Sequence, residues 1–554
     1  MSLMPNHPIL TPRILSIQDL QVLCQPVAKH IEEPDLSLSQ VVQDSRDIPS
    51  QSVFVAIRGT RVDSHDFIAE LATRSDILII GEDAPEAHPE VANYMQVEHT
   101  RAVLGPIAQA FAGDPWQYLQ VIGITGTNGK TTTATLIYEL LHQAGKPVSL
   151  LGTVSKRILD EEIPSALTTS DAIELAQDMK QMVEAGSKYL VMEVSSHALD
   201  QYRVHGIPFT VAVFTNITHD HLDYHGSFEA YLNAKKKLFD ELKPGSWAIV
   251  NSDDPASNYM VQDTDAQILS LGLNRPAHAG ASPSMGSTTH RKELPSWAEH
   301  ISFTLISHDL DGSQVKEDNE QVWHIPLIGM FNTYNTLQAL LTVKMLGLSE
   351  AELREGMLGL KGAAGRLERV WSDDLASGIQ KPAVFVDYAH TPDALENICS
   401  TLSALKQAGQ KLTVVFGAGG DRDASKRPKM AQACERYCDA VIVTTDNPRS
   451  ESPESIIEDI VKGFQDSLAL DEVLISESPV DLNSSTTSST STKISIIVDR
   501  KEAIARAISH AGAHDIVVIA GKGHENYQEV KGVKHPFDDR MIAKDCLNQW
   551  KEAA

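Results

Sequence analysis

Cysteine is scarce in this 554-residue chain: there are five, at Cys24, Cys399, Cys434, Cys438 and Cys546, an odd number with no CxxC spacing. Neither a disulfide framework nor a zinc site is therefore suggested. Cys434 and Cys438 stand one helical turn apart and read as ordinary helix residues rather than a metal or redox pair. Long apolar runs are also missing, so no segment is suited to cross a bilayer as a helix. The opening MSLMPNHPIL has neither the basic region nor the apolar core of a secretory signal, and a cytoplasmic protein is expected. Positive charge is in deficit: 47 Lys and Arg stand against 74 Asp and Glu, a net charge of -27. Such a balance opposes non-specific attraction to nucleic acid or anionic membrane, so neither is expected as a partner. Any anionic ligand must be met by local groups.

What is present is ordinary globular usage, with 42% hydrophobic and 22% charged residues. The length suggests three or four domains. Short β-branched runs alternate with helical patterns: Val121 to Ile124, Tyr189 to Met192, Val211 to Phe214, Ala383 to Val386, Leu412 to Phe416, Val441 to Val443, Ile494 to Val498 and Ile516 to Ile519. That alternation predicts an α/β fold with mainly parallel sheets. Three sections separate at the GDPWQ turn (Gly113 to Gln117) and before GAAGRLERV, giving 1–115, 116–361 and 362–554. Asn274 to Glu299, and Ser484 to Lys493 (SSTTSSTSTK), are too polar or too simple in composition to bury much apolar surface and are expected to be mobile insertions. No internal repeat is found.

Residues 121–132 read VIGITGTNGKTT, a strand, a glycine-containing turn, Lys-Thr and then a helical pattern. This is the context of a phosphate-binding loop, in which backbone N–H groups and a helix N-terminus converge on phosphates. Lys130 is expected to reach the β and γ phosphates, and the Thr131 hydroxyl to ligate magnesium. The strict GxxxxGK[ST] spacing fails, because its first glycine would fall on Ile124. Nucleotide binding follows from this context, but a kinase, a motor and a ligase remain equally compatible with it.

The next two strands end in acidic and imidazole groups, YLVMEVSSHALDQYR and VFTNITHDHLDYHG. Glu193 is placed to share the nucleotide's magnesium. His197, His219, His221 and His225 are too many for one site, and most are expected to make structural hydrogen bonds. In the helix that follows, Ser227 is a good N-cap, and Phe228, Tyr231, Leu232, Lys235, Leu238, Phe239 and Leu242 share one face. Lys235 thus lies in the apolar stripe, while Lys236 and Lys237 point elsewhere. Two readings stay open: a desolvated, neutral amine able to act as a nucleophile, or a snorkelling lysine on a solvated face.

Ten segments in order, GITGTNGKTT, MEVSSHAL, TNITHDHLDYHG, AKKKLF, GMFNTYN, GRLE, VDYAHTPDAL, FGAGGDRDASKRP, TTDNPR and AGKGHE, resemble the Mur ligases of bacterial cell-wall synthesis, nearly over the whole length. The resemblance implies an N-terminal domain for the uridine nucleotide, a central P-loop ATPase domain and a C-terminal Rossmann-like domain for the incoming amino acid. It further implies that ATP activates the D-glutamyl γ-carboxylate of UDP-N-acetylmuramoyl-L-alanyl-D-glutamate as an acyl phosphate, which the amine of meso-2,6-diaminopimelate attacks. A free carboxylate is inert to an amine, so it must first gain a leaving group.

By the same resemblance Gly126, Thr127, Asn128, Gly129, Lys130, Thr131 and Thr132 bind ATP, joined by Asn332, Arg366, Asp387 and His390. Asn332 and Asp387 could instead merely shape the two domain junctions. Thr131 and Glu193 match ligands of a first magnesium ion. His221 and Lys235 match ligands of a second, with Lys235 converted by carbon dioxide to a carbamate (N6-carboxylysine), and Lys130, Lys235 and His221 form the catalytic set. Gln43, Ser45, Thr60, Arg61 and Val62 correspond to the uridine site, and Thr168, Thr169, Ser195, Gln201 and Arg203 to the muramoyl-peptide site. Asp446, Asn447, Pro448 and Arg449, the DNPR form of diaminopimelate-adding members, make the amino-acid site with Arg422, Gly521 and Glu525. A guanidinium fork suits the distal carboxylate of diaminopimelate better than a point charge does. A monomer is expected. A lysine-adding or folylpolyglutamate-type ligase is disfavoured by DNPR and by the uridine-site segment. A P-loop ATPase or small-molecule kinase would not need a second, amino-acid substrate.

Overall fold

The computed structural model describes residues 8–59, 62–165, 167–275, 298–373, 380–465 and 492–551. Most of both expected insertions, together with Thr60 and Arg61, lies outside these described residues. At their margins the expectation is corrected: Asn274 closes the Gln267–Asn274 strand, Glu299 opens Glu299–Asp309, and Lys493 opens Lys493–Ile496. Asn274 pairs with Thr304 and Lys493 with Ala440, so ladder partners hold polar residues that composition alone assigns to loops.

Three large sheets organise the chain. The first has five strands, with Gln40–Val42, Ser52–Val55, Leu78–Gly81 and Asn93–Gln96 parallel and Ala28–Ile31 antiparallel at one edge. The second has eleven. Its parallel centre sets Tyr189–Glu193, Gln120–Thr125 and Val211–Phe214 side by side, and its two edges are antiparallel. The third has six, with Ala383–Asp387, Ile516–Ala520, Leu412–Phe416, Ala440–Val443 and Lys493–Ile496 parallel in that order and Glu368–Val370 antiparallel beside the first. All eight strands read from the β-branched runs are present, with ends moved by up to two residues.

The inner parallel strands are buried on both faces, which is why they read as continuous apolar runs rather than alternating ones. In the central sheet the helix Lys130–Gln143 packs with Met330–Met345 on one face through Leu136, Ile137, Leu337 and Leu340. On the other face Leu238 and Phe239 of Phe228–Asp240 join Val121, Met192 and Phe214. Loops at the carboxyl ends of neighbouring strands therefore meet, the position at which open α/β sheets collect ligands. Cys438 caps the Arg427–Tyr437 helix rather than extending it, and with Cys399 and Cys434 it is buried in the apolar core of the third sheet.

That third sheet is tied by a fully buried ion pair. Arg500 donates to both carboxylate oxygens of Asp539, at 2.8 and 2.7 Å, and to the carbonyls of Ala520 (2.9 Å) and Thr445 (3.4 Å). It thereby joins the ends of two strands. Removing one partner would strand a buried charge, so Asp539→Ala should lower the unfolding free energy by about 3–5 kcal/mol in denaturant titration. A loss of under ~1 kcal/mol, the scale of an exposed pair, would contradict that role.

Candidate active site

The phosphate loop is built by glycine where side chains would not fit. Gly126, at φ 150°, and Gly129, at φ 87°, are in backbone conformations that L side chains rarely adopt. A Cβ at Gly126 would collide with Thr215 Oγ1, and one at Gly129 with Asn335 Oδ1. The tight approach that the strict spacing assigns to position 124 is thus made at Gly126. The loop is braced from the neighbouring strand: Thr215 Oγ1 donates to the Asn128 carbonyl (2.6 Å), Asn128 N–H to Asn216 Oδ1 (3.1 Å), and Thr218 N–H to Thr127 Oγ1 (3.0 Å). Thr132 is buried in the first turn of the helix that opens at Lys130.

Lys130 folds over this loop and donates to the carbonyls of Gly126 and Thr127, both at 2.9 Å. Lys235, 1% exposed, reaches the same Gly126 carbonyl at 2.7 Å and lies 4.6 Å from the centre of the Tyr231 ring. Burial, then the charge of Lys130, pushes the Lys235 amine well below its ordinary pKa, and Asp220 only partly opposes this. Lys235 is therefore the desolvated amine, not the snorkelling one. Ser227 caps its helix by accepting from Ala230 N–H (3.1 Å). Lys236 does turn away from Lys235, but it too is buried, paired with Asp240 and Asp263, and only Lys237 of the three lies partly open. Leu242 falls past the helix end at Asp240 yet joins the same core.

Beside the loop, Thr131 Oγ1 donates to Glu193 Oε2 at 2.9 Å, and Glu193 also accepts from Thr153 N–H at 2.7 Å. A hydroxyl and a carboxylate are hard oxygen donors, and these two residues fit magnesium. His221 and Lys235 do not fit a cation while Lys235 carries an ammonium. Among the described residues no three His, Cys, Asp or Glu side chains are grouped to hold a metal ion. The other histidines depart from the expected hydrogen bonding: His225 bonds Ser196 Oγ (3.0 Å), whereas ring packing places the other two, His219 stacked on Phe228 and His197 against Tyr224.

The substrate residues expected along this sheet are brought together. Thr169 Oγ1 donates to the Glu193 carbonyl (2.9 Å) and accepts Ser195 N–H (3.1 Å), and Thr153 Oγ1 donates to Thr168 Oγ1 (3.1 Å). Arg203 donates to the Thr169 carbonyl (2.8 Å) and Gln201 Oε1 (2.7 Å). Gln43 and Ser45, by contrast, are half-buried in the loop that follows Gln40–Val42 of the first sheet, and Val62 is exposed.

A cleft of about 1120 Å³ runs from Thr131 and Glu193 along Tyr138 and Glu139 to the linker at Leu360 and Leu367. Glu139 accepts the N–H groups of Lys361 (3.1 Å) and Gly362 (3.3 Å), and burial raises its pKa despite them. Past the linker, Asp387 accepts Leu367 N–H (2.6 Å) and Ala389 N–H (2.7 Å). Burial pushes its pKa up to about 6, against the pull of Arg366. Arg366 lies over the Tyr388 ring with a buried Nε that has no hydrogen-bond partner, and its charge is felt at Lys130. His390 bonds the Tyr388 carbonyl (2.7 Å). Asn332 donates to the Ile328 carbonyl (2.8 Å) and accepts from Asn335 (3.3 Å), the residue lying against Gly129.

At the far strand ends, Asn447 Nδ2 donates to Glu525 Oε2 (2.8 Å), and a Cβ at Gly521 would crowd Asp446. Pro448 leads into Arg449, whose Nη1 donates to the Gly420 carbonyl (2.6 Å) and whose backbone is in the left-handed region at φ 52°. Arg422 is exposed, and its side chain approaches the same glycine as that of Arg449: a Cβ at Gly419 would lie 3.0 Å from Arg449 Nη1 and 3.8 Å from Arg422 Cγ. Thr215, Asn216, Asn335 and Lys522 receive no role from the sequence, and Tyr231 receives only its place in the apolar stripe. TNIT and NTYN held the signal for three of them, as runs of polar residues just beyond or inside buried elements.

Comparison with known proteins bears on this geometry. Residues 124–343 match the Mur ligase middle domain, and residues 365–523 the Mur ligase, glutamate ligase domain. The chain is 39% identical over 515 residues to UDP-N-acetylmuramoyl-L-alanyl-D-glutamate--2,6-diaminopimelate ligase of Cytophaga hutchinsonii, covering 93% of this chain and 95% of that one. It is 37% identical to the protein of the same name from Bacillus licheniformis, covering 94% and 96%. A solved structure of a ligase of that name superposes with a TM-score of 0.65 at 30% identity, covering 97% of this chain and 99% of the other. With this similarity running almost end to end, the chain belongs to the Mur ligase family, among its UDP-N-acetylmuramoyl-L-alanyl-D-glutamate--2,6-diaminopimelate ligases.

Proposed function

We propose that the protein is an ADP-forming ligase that joins meso-2,6-diaminopimelate to the D-glutamyl γ-carboxylate of UDP-N-acetylmuramoyl-L-alanyl-D-glutamate, in peptidoglycan precursor synthesis. Beyond the family relation, the observation that carries this reading is the meeting of Lys130, Lys235, Thr131 and Glu193 around the Gly126 turn. The γ-phosphoryl group of ATP passes to a carboxylate oxygen, ADP leaves, and the diaminopimelate amine attacks the acyl carbon. The tetrahedral intermediate expels phosphate, the amine loses its proton, and the amide remains.

In this reading Lys130 exchanges its loop carbonyls for the β and γ phosphates, and Thr131 and Glu193 would hold a magnesium ion, which would supply charge neutralisation at the phosphoryl and carboxylate oxygens. Neutral Lys235 adds to carbon dioxide, forming an N–C bond and releasing one proton. The resulting carbamate is anionic, and with His221 it would make an oxygen and nitrogen pair suited to a second magnesium. Gly126 to Thr132, Asn332, Arg366, Asp387 and His390 face the nucleotide. Gln43, Ser45, Thr60, Arg61 and Val62 take the uridine end, and Thr168, Thr169, Ser195, Gln201 and Arg203 take the muramoyl peptide. Asp446 to Arg449, with Arg422, Gly521 and Glu525, take diaminopimelate. We divide the chain accordingly at 115/116 and 361/362, and read it as a cytoplasmic monomer.

ADP release measured with each substrate omitted in turn tests the proposal: turnover should require both the muramoyl dipeptide and diaminopimelate, and ATP hydrolysis unaffected by either would refute it. Lys235→Ala should lose most activity and regain part of it with added short-chain carboxylates, whereas full activity in the plain variant would remove this lysine from the mechanism. Unpairing a largely desolvated carboxylate costs on the order of 2–5 kcal/mol, so Arg449→Ala should raise the KM for diaminopimelate more than about tenfold with that for ATP nearly unchanged. Arg449→Lys should recover only part, since an ammonium cannot make the two-point contact.

A further inference from the structure

Lys522 is fully buried in the turn after Ile516–Ala520. Its ammonium meets Asn447 Oδ1 at 2.9 Å, Glu525 Oε2 at 3.3 Å and Asp446 Oδ1 at 3.4 Å. Two carboxylates thus share one cation, while the neighbouring Arg500 is satisfied by Asp539. The Tyr527 ring lies 5.7 Å from the ammonium. An ammonium can only donate, so it fixes which way the Asn447 amide is turned: Oδ1 towards Lys522, Nδ2 towards Glu525.

The consequence runs on to Arg449. With its oxygen so turned, Asn447 also accepts Glu529 N–H at 2.9 Å. The Glu529 carbonyl in turn accepts Arg449 N–H (3.1 Å), Lys531 N–H donates to the Arg449 carbonyl (2.6 Å), and the Glu529 carboxylate lies 3.5 Å from Arg449 Nε. Arg449 is a non-glycine residue at φ 52°, a conformation that persists only where surrounding structure over-determines it. The two backbone bonds to Tyr527–Val530 and its turn supply that constraint, and Asn447 registers this strand against the loop. The other side of the same turn packs elsewhere: a Cβ at Gly365 would run into Gly523 and His524, at the linker that leads to Arg366.

We propose that Lys522 is a positioning residue for amino-acid selection. Without touching the substrate, it orients the Asn447 amide and, through Glu529, holds Arg449 in the geometry that receives the carboxylate end of a zwitterionic amino acid. This rests on the reading of Arg449 as the selector.

The test uses Lys522→Met and Lys522→Arg in the full-length protein, with kcat and KM for all three substrates and the preference for meso-diaminopimelate over L-lysine. Lys522→Met should raise the KM for diaminopimelate about tenfold or more and shrink the preference, with the KM for ATP moving less than about threefold, because orientation at one end of the cleft is lost while the linker face is kept. Lys522→Arg keeps the charge but not the fit, should show the same split more weakly, and decides the matter if the methionine variant does not fold. An unchanged diaminopimelate KM in a folded variant, or equal rises for ATP and diaminopimelate, would overturn the proposal in favour of plain structural support. Arg449→Ala run in parallel separates the two claims. If it leaves the diaminopimelate KM unchanged, the selector reading itself fails. If it raises that KM and the Lys522 variants do not, only the role of Lys522 fails.

Discussion

Two lysines share one carbonyl oxygen. Lys130 and Lys235 both donate to Gly126, and Lys235 does so from a site with almost no solvent contact. Two ammonium ions this close in a poorly solvated site are unfavourable, so the less exposed one gives up its proton most readily. The arrangement needs a glycine at 126, because any side chain there would meet Thr215, and it needs the Phe228–Asp240 helix to present Lys235 and Tyr231 to the loop. The phosphate loop, the helix beneath it and the polar turn after Val211–Phe214 thus form a single unit, and Glu193 on the adjoining strand completes it.

The third sheet repeats the principle with opposite charge. Around the Gly126 turn cations are crowded and a carbonyl is shared, whereas around Lys522 carboxylates are crowded and a cation is shared. Between the two lies a linker held from both sides, by Glu139 of the phosphate-loop helix at Lys361 and Gly362, and by Asp387 at Leu367. Asp387 is buried and Glu139 half-buried, and loss of solvent raises the pKa of both. For Asp387, whose folded value of about 6 lies above its ordinary one, the sign is that the native state binds the proton more tightly, so its contribution to stability falls as pH rises towards 6 and is constant above it.

Much of this was legible in the sequence, for physical reasons that can be named. Buried parallel strands give apolar runs, so Gln120–Thr125, Val211–Phe214 and Ile516–Ala520 declared themselves. Helical periodicity put Lys235 in the apolar stripe, although it could not say whether the amine reached solvent; the Gly126 carbonyl decides that. Periodicity turned Lys236 off that stripe, as found, but could not show its burial, where it pairs with Asp240 and with Asp263 in the turn after Ser257–Val261. The brace on the phosphate loop comes from residues about 88 positions away, and the Lys522–Asn447 contact spans 75, distances at which local pattern carries no information. A lysine in a glycine-rich turn looks like a surface residue until its partners are folded against it.

The proposed carbamate requires Lys235 to give up its proton at working pH, and the most direct measurement is carbon-13 NMR of the purified protein in labelled bicarbonate buffer. A carbamate resonance should appear in the native protein and be absent from Lys235→Ala. A spectrum in which saturating bicarbonate produces no carbamate signal that depends on Lys235 would contradict it.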